Sequence, residues 1–283
     1  MNAFTVDFED WYQGIELPMH AWGNYIPRLE IGANRILNLL EKYQTKATFF
    51  VLGWIGDKYP NLIKDIASRG HEIGSHGYSH EKIYNLTREQ FREEIRRTKK
   101  NLEDLTGNQT SSFRAPFFTV TPKTLWALDI LSEEGYEIDC SISPVKTWRY
   151  GIADTPREVY RIAPSGITEF PVSTFRFLTT DWGIGGAYFR IFPYTLTRKS
   201  FRLAENDNRP LMFYIHPWEY DPEHPRIKFE RKAMLTHYRN LHRTLPLTAK
   251  LLAEFKFTTV SDVVHAYQKS HALRTITADV LEN

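Results

Sequence analysis

Cysteine is almost absent from this chain. The single Cys140 among 283 residues excludes an intrachain disulfide framework and any metal centre built from several thiolates, and it suits a reducing compartment. An excess of one charge is missing too. Lys and Arg total 36 against 34 Asp and Glu, a net +2 that leaves no electrostatic footprint for a nucleic-acid partner. The stretch from Arg92 to Lys100, REEIRRTKK, mixes both signs and reads as a solvated helix face. No run approaches the roughly 18 uninterrupted apolar residues of a membrane span. Met1 to Asp10 reads as a strand with an acidic end, so neither a signal peptide nor a membrane span is expected, and a cytoplasmic location is. Linkers rich in Gly and Ser, low-complexity tracts and internal repeats are lacking, which favours one domain over residues 1–283.

What is present is a globular composition, 42% hydrophobic and 25% charged, able to bury a sizeable core. Short apolar runs at Phe4 to Val6, Ala47 to Leu52, His71 to Gly74, Ser112 to Ala115, Tyr136 to Ile142, Ile167 to Val172 and Leu211 to Ile215 predict strands. Helices fit between most of them. Thr87 with Gln90 forms a capping box that opens a helix with Phe91, Ile95, Leu102 and Leu105 on one face, stopped by Gly107. A second helix is expected to open with Thr121 as N-cap and Pro122 at its first position and to end near Gly135, and Tyr59 to Arg69 ends at Gly70 in the same way. Strand and helix alternate about seven times, which predicts an α/β fold with a parallel sheet, curled into a single distorted, incomplete (β/α)7-type barrel. In such a barrel the chemistry gathers at the C-terminal ends of the strands.

Each polar cluster of note falls just after a predicted strand. Asp7, Glu9 and Asp10 follow Phe4 to Val6 within four positions, and three carboxylates so close need an offsetting cation or a protonated member. In HEIGSHGYSH, His76 and His80 reach one ion if the segment turns at Gly74 and Gly77, whereas His71 at the strand start reads as a surface or capping residue. One carboxylate with two imidazoles leaves positions open for water and substrate, as catalytic sites do. Arg114, in FRAPFF, is an arginine at a strand end that needs an anionic partner if buried. His216, in FYIHPWE, ends the run from Leu211 and is a candidate general acid.

In this order the four clusters resemble the polysaccharide deacetylase family, carbohydrate esterase family 4, with its NodB homology domain. SHGYSH matches the family's metal-binding histidine segment, FRAPF its arginine motif, and YIHP the motif that carries the acid histidine. The segments VDFEDWYQ, EFPVSTFRF, GGAYFRIFPY and YIHPWEYDPEHPR resemble the subgroup of exopolysaccharide loci that has a carboxy-terminal extension, here within residues 165–283 and helical. The family's Thr-Phe-Asp-Asp pair has two alignments on this chain. In one, Glu9 is the base and Asp10 binds metal; in the other, Asp7 is the base and Glu9 or Asp10 is the ligand. Asp10, His76 and His80 are the preferred ligands, with the base left open between Glu9 and Asp7. Asp139, in EIDCSISP, resembles a fourth motif.

The resemblance implies a metal-dependent N-deacetylase acting on amino sugars, with Arg114 orienting the base carboxylate and His216 protonating the leaving amine. Zinc suits the donor set, and cobalt, nickel or manganese also fit it. Phe117, Tyr188 and Trp218, and with them Trp182, are the aromatic candidates for stacking on sugar faces, and Arg190 and Arg226 for an anionic part of the substrate. Two other functions suit the same residues: an amidohydrolase of cyclic amides or peptidoglycan, and an inactive carbohydrate-binding protein. No oligomeric state follows from the sequence.

Overall fold

Strand β1 (Asn2–Phe8) is buried along its whole length, so its sequence shows no polar-apolar alternation. The computed structural model describes residues 1–145, 147 and 150–282. Beyond β1 it contains β2 (Thr48–Val51), β3 (Glu72–Ser75), β4 (Ser112–Phe113), β5 (Ile138–Asp139), β6 (Tyr160–Ala163), β7 (Thr168–Glu169), β8 (Thr174–Phe177), β9 (Thr180–Gly183), β10 (Met212–Ile215), β11 (Phe257–Thr258) and β12 (Arg274–Thr277). Among the described residues, ten of these form one sheet in the order β10-β1-β2-β3-β4-β5-β7-β6-β12, with β11 added beside β1, while β8 and β9 make a separate hairpin.

The fold is α/β with mostly parallel pairing, as the alternation predicts. The described ladder runs from β10 to β12 and, in place of a strictly parallel series, contains one antiparallel step, β6 against β7. That step arises because only the four residues 164–167 separate those strands, too few for a crossover helix. The runs from Tyr136 and from Ile167 shrink to two paired residues each, and β6, β11 and β12 join the sheet without an apolar run long enough to announce them.

The helix predicted from Thr87 spans Arg88–Thr106, with the Thr87 and Gln90 capping box formed, Phe91, Ile95 and Leu102 buried and Gly107 in the left-handed conformation at its end. The helix expected from Thr121 starts later, at Trp126. There the Thr124 hydroxyl accepts from the Thr121 N–H and donates to the Thr119 carbonyl, holding a turn where the first helical turn would form. No described helix is long and apolar enough to cross a membrane.

The late strands share a core with the early ones. Phe4 of β1 packs against Phe213 of β10 and Phe257 of β11 at ring distances of 5.4 and 5.8 Å, and Phe189 and Phe201 close the cluster. Each such buried side chain contributes on the order of 1.5–3 kcal/mol. Phe213→Ala is expected to lower the unfolding free energy by about 3–5 kcal/mol in urea titration; a loss below about 1 kcal/mol would contradict a common core.

Candidate active site

Parallel register decides which loops meet. Val6 of β1 pairs with Ile215 of β10, so Asp7 and His216 come next on adjacent strands. Ser75 of β3 pairs with Phe113 of β4, which brings His76 and Arg114 to the same level. The acidic triplet, both histidines of the second motif, Arg114 and His216 therefore lie at one end of the sheet, where the strands finish.

The turn after β1 then sorts the triplet. β1 ends at Phe8 and the chain turns, the Glu9 N–H bonding back to the Asp7 carbonyl, so that Asp7 and Glu9 line the cleft and Asp10 does not. The Asp10 carboxylate accepts backbone N–H bonds from Trp11 (2.8 Å), Arg28 (2.8 Å) and Leu29 (3.1 Å). Burial pushes it up to about 6, against the lowering pull of those three donors. Its work is to pin the loop after β1 to the helix Leu29–Lys42. Asp10, the preferred ligand from the sequence, is thus committed to backbone donors, while Glu9 is the carboxylate that stands beside His76 and His80.

Glu9, His76 and His80, all buried, bring one ligand atom each within 4.8 Å of one another. His76 donates through Nδ1 to the Arg114 carbonyl at 2.7 Å, and His80 through Nδ1 to the Gln13 carbonyl at 3.1 Å. A carbonyl only accepts, so each Nδ1 carries the proton and each Nε2 is left to face the site. His80 Nε2 lies 2.7 Å from Glu9 Oε2, a contact that either a proton on Nε2 or a cation held between the two atoms would satisfy. Burial pushes Glu9 up, but the charge and hydrogen bond of His80, with His216 and His76 behind it, outweigh this and bring it to about 2. Burial lowers His76 to about 4. Near neutral pH these two groups are thus an ionised carboxylate and a neutral imidazole, the states that bind a cation. Two imidazole nitrogens and one carboxylate oxygen fit a divalent ion of the zinc type.

The turn that presents His80 depends on Gly77, whose φ is +75°, and on His80 itself at +57°. Gly74, expected to act there, instead sits in β3, where a Cβ would come 2.6 Å from Ser112 Oγ. His71 is buried rather than on the surface, its Nδ1 accepting from the Ala47 N–H.

Two buried carboxylates flank the remaining polar groups. Arg114, without exposure, donates through Nη1 to Asp7 Oδ1 and to Thr5 Oγ1, with its guanidinium 4.2 Å over the Phe50 ring. Asp7 Oδ2 remains towards His216 Nε2, 3.8 Å away. His216 Nδ1 lies 2.7 Å from Glu219 Oε1, which also accepts the His216 backbone N–H, and Glu219 Oε2 pairs with Arg190 at 3.0 Å. Burial pulls His216 down, but the hydrogen bond to Glu219 and the charges of Glu9, Glu219 and Asp7 raise it to about 9.

Neither Glu219 nor Arg190 emerged from the sequence as part of this chain of contacts. The spacing of His216 and Glu219, three residues apart, carries a readable signal; Arg190, a candidate for substrate contact, is fully buried behind Glu219 and its partner could be found only in the fold. Arg226 is exposed and packs over the Tyr238 ring. Asp139 is buried outside the cleft, accepts from Ser141 Oγ and lies in the sheet beside Glu169; burial raises both carboxyl groups, and the charge of Asp139 raises Glu169 further.

A cleft of about 460 Å³ opens over Asp7, Glu9, His76, His80 and His216. Phe117, Tyr188 and Trp218 line it, as does His237. Trp182 stands behind Tyr188, packed edge-on at 5.2 Å. The Trp218 indole is itself stacked on His216 and His237.

Asp10→Asn, which removes acceptor capacity from a buried carboxylate, is expected to cost about 1–3 kcal/mol of stability in urea titration. An unchanged unfolding midpoint would contradict the pinning role.

Residues 27–137 match the family model described as polysaccharide deacetylase, and residues 140–265 match one described as a domain of unknown function, DUF3473. The peptidoglycan-N-acetylglucosamine deacetylase of Bacillus cereus is 36% identical over 96 residues, 34% of this chain and 35% of that protein. The peptidoglycan deacetylase of Helicobacter pylori is 32% identical over 113 residues, 40% of this chain and 38% of that protein. The chain thus spans under two-fifths of the length of these curated relatives. A crystal structure from Mycobacterium smegmatis, assigned as a polysaccharide deacetylase, superposes with a TM-score of 0.68 at 20% identity over 97% of this chain and 92% of that one, a likeness of fold.

Proposed function

We propose that this chain, whose membership of the polysaccharide deacetylase family is supported by residues 27–137 and by its curated relatives, is a metal-dependent hydrolase that removes N-acetyl groups from amino sugars of an exopolysaccharide or its precursor. The observation that carries the reading is the convergence of Glu9, His76 and His80 beside Asp7, held by Arg114, and His216, held by Glu219. We take residues 1–283 as one domain, with the DUF3473 segment as the second wall of the same site, because β10 and β11 both pair with β1.

Glu9, His76 and His80 are the proposed metal ligands. A divalent cation there would supply a Lewis acid, polarising the acetamide carbonyl and making water a better nucleophile. Asp7 is the proposed base. Arg114 engages Oδ1 and orients the carboxylate, leaving Oδ2 to take a proton from the attacking water. A bond forms from the water oxygen to the acetyl carbon, the C–N bond breaks, and the departing nitrogen takes a proton from His216 Nε2, leaving acetate and a free amino sugar. A raised His216 suits a donor that must be protonated before this step. Phe117 and Tyr188 supply apolar faces for the sugar ring.

The test is acetate release from N-acetylated oligosaccharides, with peptidoglycan fragments and a cyclic amide as rival substrates. Activity is expected to vanish with a chelator and with His76→Ala, and to fall about 10²–10⁴-fold in Asp7→Asn; activity that survives both chelation and His76→Ala would overturn the mechanism. A donor works only below its pKa, so the rate should fall on the alkaline side as His216 deprotonates. Glu219→Gln removes the partner that holds His216 up, and the alkaline limb of the kcat profile should move to lower pH. An unmoved limb would contradict His216 as the proton donor.

A further inference from the structure

The sequence offers Trp218 as a platform for sugar, yet its surroundings in the fold are those of a residue at work inside the protein. Its indole N–H donates to Glu9 Oε1 at 3.1 Å. Its ring is stacked on His216, at 5.0 Å and 21°, and on His237 from the helix Arg231–Tyr238, at 4.0 Å and 19°. Arg190 lies 5.6 Å from the same ring, and the residue is 7% exposed. An indole with two imidazoles stacked on it keeps little face for a ligand, while its one polar atom is committed to a carboxylate.

We propose that Trp218 is a positioning residue through which the C-terminal half of the chain sets the metal-binding half. Resting on the deacetylase reading above, this makes the indole N–H an outer-shell donor that fixes the Glu9 carboxylate. With Oε1 held by the indole, Oε2 is the oxygen turned towards His80. Outer-shell hydrogen bonds of this kind orient a ligand before the ion arrives and are worth about 10–100-fold in metal affinity. The same ring braces His216, so one side chain aligns the metal carboxylate and the proton donor.

Gly14 supplies an independent way to probe that bond. A Cβ at this position would come 2.8 Å from Glu9 Oε1 and 3.1 Å from Trp218 Nε1, so the glycine leaves room for the contact. Glu9 Oε1 ends a flexible side chain while Nε1 belongs to a ring stacked on two imidazoles, so the Cβ is expected to push the carboxylate off the indole rather than displace backbone.

The experiment uses the full chain stripped of metal, with zinc competed against a chromophoric chelator. Trp218→Phe retains an aromatic ring and loses the donor, and Gly14→Ala wedges the bond from the other side. Each is expected to weaken zinc affinity about 10–100-fold, with circular dichroism and the urea midpoint reporting a folded chain, while Trp126→Phe leaves affinity unchanged. At saturating zinc, Trp218→Phe should lower kcat through a less well-braced His216 and leave KM for the acetylated oligosaccharide near its original value. Unchanged zinc affinity in both folded variants, or a rise in KM alone, would overturn the proposal, the latter in favour of sugar stacking. A parent chain that binds no zinc would instead overturn the metal reading on which it rests.

Discussion

Asp7, Glu9 and Asp10 lie within four positions at the end of β1, and all three are at most 3% exposed. So much negative charge taken out of water is tolerated only if each carboxylate has its own compensation. The fold provides three different ones. A guanidinium from β4 meets Asp7, imidazoles from the turn after β3 meet Glu9, and three backbone N–H groups meet Asp10. Much of the architecture is arranged by the need to deliver these partners to one strand end.

Parallel register makes the delivery possible. Each strand ends at a similar level, so residues far apart in sequence, Asp7 and His216 among them, stand 3.8 Å apart. The segment matched only by a domain of unknown function is part of this arrangement rather than an appendage. It contributes β10, His216, the Glu219 and Arg190 pair behind it, and the Trp218 ring that touches both Glu9 and His216. A chain cut between the two matched segments would lose the strand on one side of β1 and one wall of the cleft.

The chemistry divides along the same line. In the proposed mechanism, residues before position 140 furnish the cation-binding atoms and the base, and residues after it furnish the proton donor and the groups that tune it. In each half the reacting side chain is held by a second, buried one: Arg114 behind Asp7, Glu219 behind His216, Trp218 behind Glu9. Such support fixes orientation before substrate arrives, when misplacement by an ångström would be costly.

The sequence by itself determined the residue types, their order and their positions after strands: SHGYSH, Arg114, His216 and the acidic triplet were legible because each is local and punctuated by apolar runs, glycine or proline. The α/β alternation and the capping box at Thr87 were legible for the same reason. Which carboxylate faces His76 and His80 was not. Glu9 and Asp10 lie in the turn after β1, so no strand periodicity marked that Asp7 and Glu9 line the cleft while Asp10 is taken up by backbone donors. Nor did the sequence reveal that Arg190 lies behind Glu219 or that the Trp218 ring is already stacked. Those facts depend on contacts between segments far apart along the chain, and only the packed sheet brings them within a few ångströms.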